Sequence, residues 1–295
     1  MLPNRASGPS PDAMVDPGTS RYAGAMFAFA LPGGGIDLVP RDEDRVWLES
    51  ALASVVDQLG GIAASTRLVT PPSRPIRDLD ALFTLICDVQ AHVGQRELEF
   101  ELVDGDSPLP PLPGPLVAIG EPKGHLLHTM RAGSELVMLA SRGLFKVQHL
   151  LVAHVAREIG RLALVQAGAF GEGVRGVVRD EPEAASELAA ITLGLGPWVL
   201  NGSAVFENAC CGGGCGVNLR SIRAGLSMPE AAYAVAMDAR RRRLSSWSLS
   251  RMLDSNQRAA FKQSARVLGR TPAHAAALGA DAAPALPAAA RPSSG

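Results

Sequence analysis

The sequence predicts an α+β protein with a small sheet in its first half and a helical second half. Three observations carry that expectation. Short alternating or apolar runs cluster before residue 140, long segments with helical apolar spacing follow, and no internal repeat marks a solenoid.

Residues 1 to 35 are rich in Pro, Gly, Ser and Ala and end in Gly33-Gly34-Gly35 with no sustained period, so a disordered N-terminal arm is expected. Asp42 to Leu59 places Val46, Leu52, Val55, Val56 and Leu59 near helical spacing, and Gly60-Gly61 stops the helix. Thr66 to Val69 reads as a short strand broken by Pro71-Pro72, and Asp78 to Val93 as a second helix before Gly94. From Glu97 to Val103, Leu98, Phe100 and Leu102 alternate with Glu97, Glu99 and Glu101, the pattern of a half-buried strand. A Pro-rich loop, Pro108 to Pro115, follows. Leu116 to Ile119, His125 to Met130 and Leu136 to Leu139 read as further short strands. Four helices complete the chain: Lys146 to Gln166, Glu181 to Asn201, Pro229 to Arg243 and Asp254 to Leu268. Residues 271 to 295 are Ala and Pro with almost no charge, a tail. One domain spanning 36 to 270 is expected between arm and tail.

Composition narrows the function classes. At 47% hydrophobic and 19% charged, the 295-residue chain is neither a disordered polyelectrolyte nor a membrane protein. A net charge of -1 supplies no global field toward nucleic acid, and 4% aromatic content disfavours base-stacking platforms. No run reaches the roughly 20 apolar residues needed to span a bilayer, so no membrane partner is expected. The four cysteines, Cys87, Cys210, Cys211 and Cys215, are too few and too clustered for a disulfide framework, which points to a reducing, cytoplasmic compartment.

One helix carries candidate chemistry. In His149-Leu150-Leu151-Val152-Ala153-His154-Val155-Ala156-Arg157-Glu158, His154 and Glu158 stand four apart and share a helix face. A His-Glu-x-x-His helix presents two metal ligands by the same geometry, with the intervening glutamate as general base. Glu183 and Glu187 repeat the spacing on the next helix.

These residues resemble bacterial predicted zinc peptidases of the gluzincin kind, in which a His-Glu-x-x-His helix precedes a helix bearing Glu-x-x-x-Asp. Leu193-Gly194-Leu195-Gly196, which matches a turn into which the family's second helix continues, Asn201, Gly225-Leu226-Ser227, Tyr233-Ala234 and Arg258-Ala259-Ala260-Phe261-Lys262 are similar to further landmarks of that family. The likeness covers roughly residues 40 to 268 and implies a zincin-like second half. By that resemblance His154 and Glu183 match zinc ligands, while Glu187 stands where an aspartate would orient the first histidine from behind the metal.

The motif is eroded in two places. Val155 occupies the base position and Glu158 the second-histidine position. A His154, Glu158, Glu183 set with two carboxylates would hold zinc weakly, if at all, and leave it a poorer electrophile. Peptide hydrolysis also needs a base worth roughly 10²- to 10⁴-fold in rate, which valine cannot supply. The expectation is therefore a pseudoenzyme with no catalytic residue in place, kept as a binding or regulatory module for a peptide or protein. The alternative is an active metal-dependent hydrolase using His154, Glu158 and Glu183 with an unconventional base. On the bland reading, His154 is a core histidine bonded by Glu187, and Glu158 and Glu183 pair with Arg157, Arg161 or Arg179.

Two other clusters read as structural. Cys210-Cys211-Gly212-Gly213-Gly214-Cys215 lacks the second Cys-x2-Cys pair of a zinc ribbon, and Arg240-Arg241-Arg242-Arg243 complements a helix C-terminus. Nucleic-acid binding through the arginines is not expected. The glycine runs lack the Lys-Ser/Thr of a phosphate loop.

Overall fold

A computed structural model of the chain describes residues 38–60, 67–122, 124–171, 176–207 and 224–270. The expected arm, the tail and the Cys210, Cys211, Cys215 loop lie outside the described residues. An acidic first turn of Asp42, Glu43 and Asp44 starts α1 (Asp42–Leu59), complementing the positive end of the helix dipole. Gly60, at φ 57°, ends it where the sequence predicts. The Asp78 carboxylate caps α2 (Leu79–His92) by accepting from the Ala81 N–H at 2.8 Å.

Four strands follow: β1 (Glu101–Asp104), β2 (Leu116–Ala118), β3 (Leu127–Ala132) and β4 (Glu135–Ala140). They form one mixed sheet ordered β1-β4-β3-β2, with β1 parallel to β4 and the other pairs antiparallel. The protein is thus α+β, its sheet in the first half. The alternation from Glu97 survives as burial, with Leu98, Phe100 and Leu102 packed on the core and Glu97, Glu99 and Glu101 exposed. Ladder pairing, however, begins only at Glu101. In register Glu101 faces Val137, and β4 itself starts at Glu135, so residues before Glu99 have no strand to pair with. Leu136, Met138 and Ala140 face the helices, while Val137 joins Val103 and Ala132 in a smaller cluster on the other face.

A 3-10 turn (Arg142–Lys146) leads into α3 (Gln148–Gln166), whose residues Leu150 to Leu164 are all buried. Such a helix is enclosed on every side, so each polar side chain in it needs an internal partner. The short α4 (Val177–Asp180) precedes α5 (Pro182–Ala190), which crosses α3 at Gly160. A Cβ at Gly160 would stand 2.0 Å from the Ser186 carbonyl oxygen, so the two backbones approach closely only because the side chain is missing.

The single helix expected over Glu181 to Asn201 is instead three pieces. After α5 comes a π-type segment, Ile191–Leu195, and then α6 (Gly196–Glu207). Gly194 sits at φ 94°, outside helical space, and its carbonyl accepts from the Val69 N–H at 3.0 Å. The Trp198 indole donates to the Val69 carbonyl at 2.9 Å. The Thr66 to Val69 strand is accordingly corrected. Residues 67 to 69 belong to no strand, because the backbone of Val69 is bonded to this kink and not to a sheet neighbour.

Ser227 and Glu230 form a capping box at the start of α7 (Met228–Arg241). The arginine run at its end, expected as a solvated helix terminus, is instead tied inward at three of its four residues. Arg240 donates to the Leu268 carbonyl at 2.5 Å, Arg241 pairs with Asp238 at 2.6 Å, and Arg242 bonds both Asp238 and the Thr192 carbonyl of the π segment at 3.3 Å. A short α8 (Ser246–Arg251), not foreseen, and α9 (Ser255–Arg270) close the described fold. No described helix is long and apolar enough to cross a membrane.

Candidate functional site

On α3, His154, Arg157, Glu158 and Arg161 fall at i, i+3, i+4 and i+7, a polar stripe on an otherwise apolar helix. All four are at most 1% exposed. The stripe faces β3, the turn before it, and α5, whose Glu183 and Glu187 are one helical turn apart. These elements meet because Gly160 lets α5 close on α3 and because Thr129 of β3 lies over Glu158.

Arg161 is the centre of this assembly. Its guanidinium donates to Glu158 at 3.0 Å, to Glu183 at 2.6 Å and to the Ile119 carbonyl at 2.6 Å. Glu158 Oε2 also accepts from the Thr129 backbone N–H at 2.8 Å and the Thr129 hydroxyl at 2.7 Å. Gly120, at φ 87°, completes the enclosure, since a Cβ there would reach 2.2 Å from the Arg161 guanidinium. Glu121 then donates its backbone N–H to Glu183 at 3.0 Å.

Arg157 performs a second bridging role. Its guanidinium donates to Glu187 Oε1 at 2.9 and 2.7 Å, and Glu187 further accepts from the Gly225 and Leu226 N–H groups at 3.0 and 2.7 Å. Arg157 also contacts His125 Nδ1. A guanidinium can only donate, so Nδ1 is the acceptor nitrogen and the proton of the neutral ring sits on Nε2, 3.2 Å from Glu183. His125 stacks on His128 with ring centroids 5.6 Å apart and meets His154 edge-on at 5.9 Å.

The electrostatics follow from burial among fixed charges. Burial, and then the Arg157 guanidinium, push His125 down to about 2. His128 is lowered mainly by burial, and His154 lies well below the usual imidazole range for the same reason, with Arg157 adding to it. Burial, the largest influence, would raise Glu158 and Glu183, but Arg161 acts with His128 and the Thr129 hydrogen bond on Glu158, and with Arg157 and the Glu121 N–H on Glu183, so that each carboxyl lies below its ordinary value. The cluster thus keeps its glutamates ionised and its imidazoles neutral.

The structure brings the expected residues together and gives them different partners. Glu158 and Glu183 share Arg161, Glu187 takes Arg157 and two backbone N–H groups, and His154 packs beside His125. The donor set does not fit a zinc ion. Among the described residues no group of three or more His, Cys, Asp or Glu is placed to hold a metal, and two of the expected ligands, Glu158 and Glu183, are bonded to Arg161. The physical reason is that a guanidinium already lies between the two carboxylates. Glu187 likewise serves Arg157 where the resemblance expected it behind His154. Val155, at the base position, is 0% exposed in the aliphatic core.

Sequence reasoning missed His125, His128 and Thr129, and treated Arg157 and Arg161 as surface partners. The arginines had a signal in the i, i+3, i+4, i+7 stripe. The residues of β3 and the turn before it had none, because only the fold lays them over α3.

No family model, curated protein or solved structure matches this chain. The likeness to gluzincin-type peptidases accordingly stands on its sequence landmarks alone.

Proposed function

We propose that this chain is a catalytically inactive, metallopeptidase-like protein that works as a cytoplasmic binding or regulatory module for a peptide or protein partner. One observation carries the reading: the Arg161 guanidinium joins Glu158 to Glu183, supplying from within the chain the positive charge that a divalent ion would bring to such carboxylates. Buried Val155 supports it, since an alkyl side chain at that position moves no proton. The cytoplasmic assignment rests on the sparse, clustered cysteines.

The test is zinc content and hydrolysis of a denatured protein substrate, using protein purified without a histidine tag. The wild type should carry no stoichiometric zinc and cleave nothing. Val155→Glu with Glu158→His restores the motif on paper, yet should still bind zinc poorly while Arg161 remains; replacing Arg161 by alanine as well should raise zinc affinity. Zinc-dependent, chelator-sensitive cleavage by the wild type, abolished by His154→Ala, would overturn the reading in favour of a metal-dependent hydrolase using His154, Glu158 and Glu183.

A further inference from the structure

Residues 108 to 113 read Pro-Leu-Pro-Pro-Leu-Pro, so every position is a proline or directly precedes one. Proline fixes φ near −65°, and a residue before proline is pushed toward extended or polyproline II backbone. Two steric rules therefore impose the same conformation on six consecutive residues. The segment lies outside any helix or strand, between β1 and β2.

Its ends and one side are held. Before it, Ser107 Oγ donates to Asp104 at 2.8 Å and accepts from Arg142 at 3.2 Å. After it, a Cβ on Gly114 would come within 3.2 Å of the Gly133 nitrogen in the β3–β4 turn, so the chain passes directly against that hairpin. Leu112 packs on the small cluster of Val103, Ala132 and Val137. The outward side is apolar and open: Pro108, Pro111 and Pro113 are exposed, and Leu109 is 45% exposed. With three residues per turn, Pro108 and Pro111 share one edge roughly 9 Å apart. The dipeptides Ser107-Pro108 and Pro110-Pro111 then repeat one turn apart along that edge.

We infer that Pro108–Pro113 is a preformed docking segment for a partner domain whose aromatic-lined groove reads polyproline II helices. Such grooves take x-Pro dipeptides one turn apart between aromatic rings, and they favour ligands whose ordering cost is already met by the ligand's own backbone. Anchoring of the segment to the sheet lowers that cost further. The partner is a protein domain, because the exposed edge offers pyrrolidine rings and a leucine, and the cation at its end, Arg142, is already paired with Asp104 at 2.9 Å. The inference does not depend on the buried polar cluster.

The experiment titrates the full chain into ¹⁵N-labelled domains of the SH3, WW and EVH1 kinds. At least one should show saturable shifts confined to its groove aromatics. Pro108→Ala with Pro111→Ala should weaken that complex by at least about tenfold, while the thermal midpoint of the chain stays at the wild-type value, since both prolines are exposed. Trp247→Ala, which removes the most exposed aromatic of the described residues, should leave the affinity unchanged. Absence of saturable binding to all three domains, equal affinity of the double variant, or loss of binding only in Trp247→Ala would each overturn the inference. Should the double variant melt lower, the single Pro108→Ala and Pro111→Ala changes decide by the same criterion.

Discussion

Arg161 joins two carboxylates from different helices and a loop carbonyl, with Glu158 buried and Glu183 half-buried. Its replacement by methionine keeps much of the volume but leaves the buried Glu158 and the half-buried Glu183 without their cation. Loss of one member of a buried ion network costs on the order of 3–5 kcal/mol. Urea denaturation should show a loss of that size for Arg161→Met, and Glu158→Gln in the same chain should recover part of it. Equal stability of wild type and Arg161→Met would mean that the network contributes nothing. The candidate residues on α3 were legible to different degrees. His154 and Glu158 stand out because their four-residue spacing shares a face, whereas the partners of Glu158 depend on Thr129, which lies 29 residues away in sequence.

The interruption between α5 and α6 gives an element-scale prediction. Gly194, at φ 94°, lies where a Cβ would stand 2.3 Å from the Arg67 carbonyl oxygen, so Gly194→Ala meets both a strained backbone and a backbone neighbour that cannot move aside. It should destabilise by about 2–4 kcal/mol. Gly269→Ala is the contrast, since it lies in α9 with nothing within 4 Å of its Cβ. That change should be neutral or stabilise by up to about 1 kcal/mol. Chemical denaturation midpoints of the two variants check the pair, and an unperturbed Gly194→Ala would contradict the kink. In sequence, the apolar run around Leu193-Gly194-Leu195-Gly196 reads as continuous helix, because isolated glycine is tolerated there, and only the family resemblance implies a turn at these residues. What breaks the helix is the approach of residues 67 to 69, which no local pattern announces.

At the scale of the molecule, β3, the preceding turn and helices α3 and α5 are locked by groups whose charge states differ between folded and unfolded chains. His125, His128 and His154 titrate below their ordinary 6.5 when folded, so near and below that pH the unfolded chain binds more protons. Their contribution is complete above about pH 6.5 and falls as pH drops toward the folded values. The loss is on the order of 1 kcal/mol per pH unit for each imidazole. Glu158 and Glu183, also lowered on folding, add a further loss below their ordinary 4.5. Unfolding free energies should therefore decline steeply from pH 7 to 5, and His128→Leu should flatten that slope. A level profile over this range would refute the neutral-imidazole arrangement.

By itself the sequence determined the α+β class, the bounds of α1 and the exposed glutamate edge before β1. Each depends on interactions between residues a few positions apart, where periodicity, caps and charge act locally. Only the tertiary structure decided that the helix from Glu181 breaks at a π segment, that Val69 bonds that break, and that Arg157 and Arg161 stand among the carboxylates expected to hold a metal. Apart from the Arg161–Glu158 pair, three residues apart on α3, those outcomes depend on partners more than twenty residues apart. In a closely packed interior, a buried charge takes whichever opposite charge the backbone brings within reach, and sequence spacing does not specify that choice.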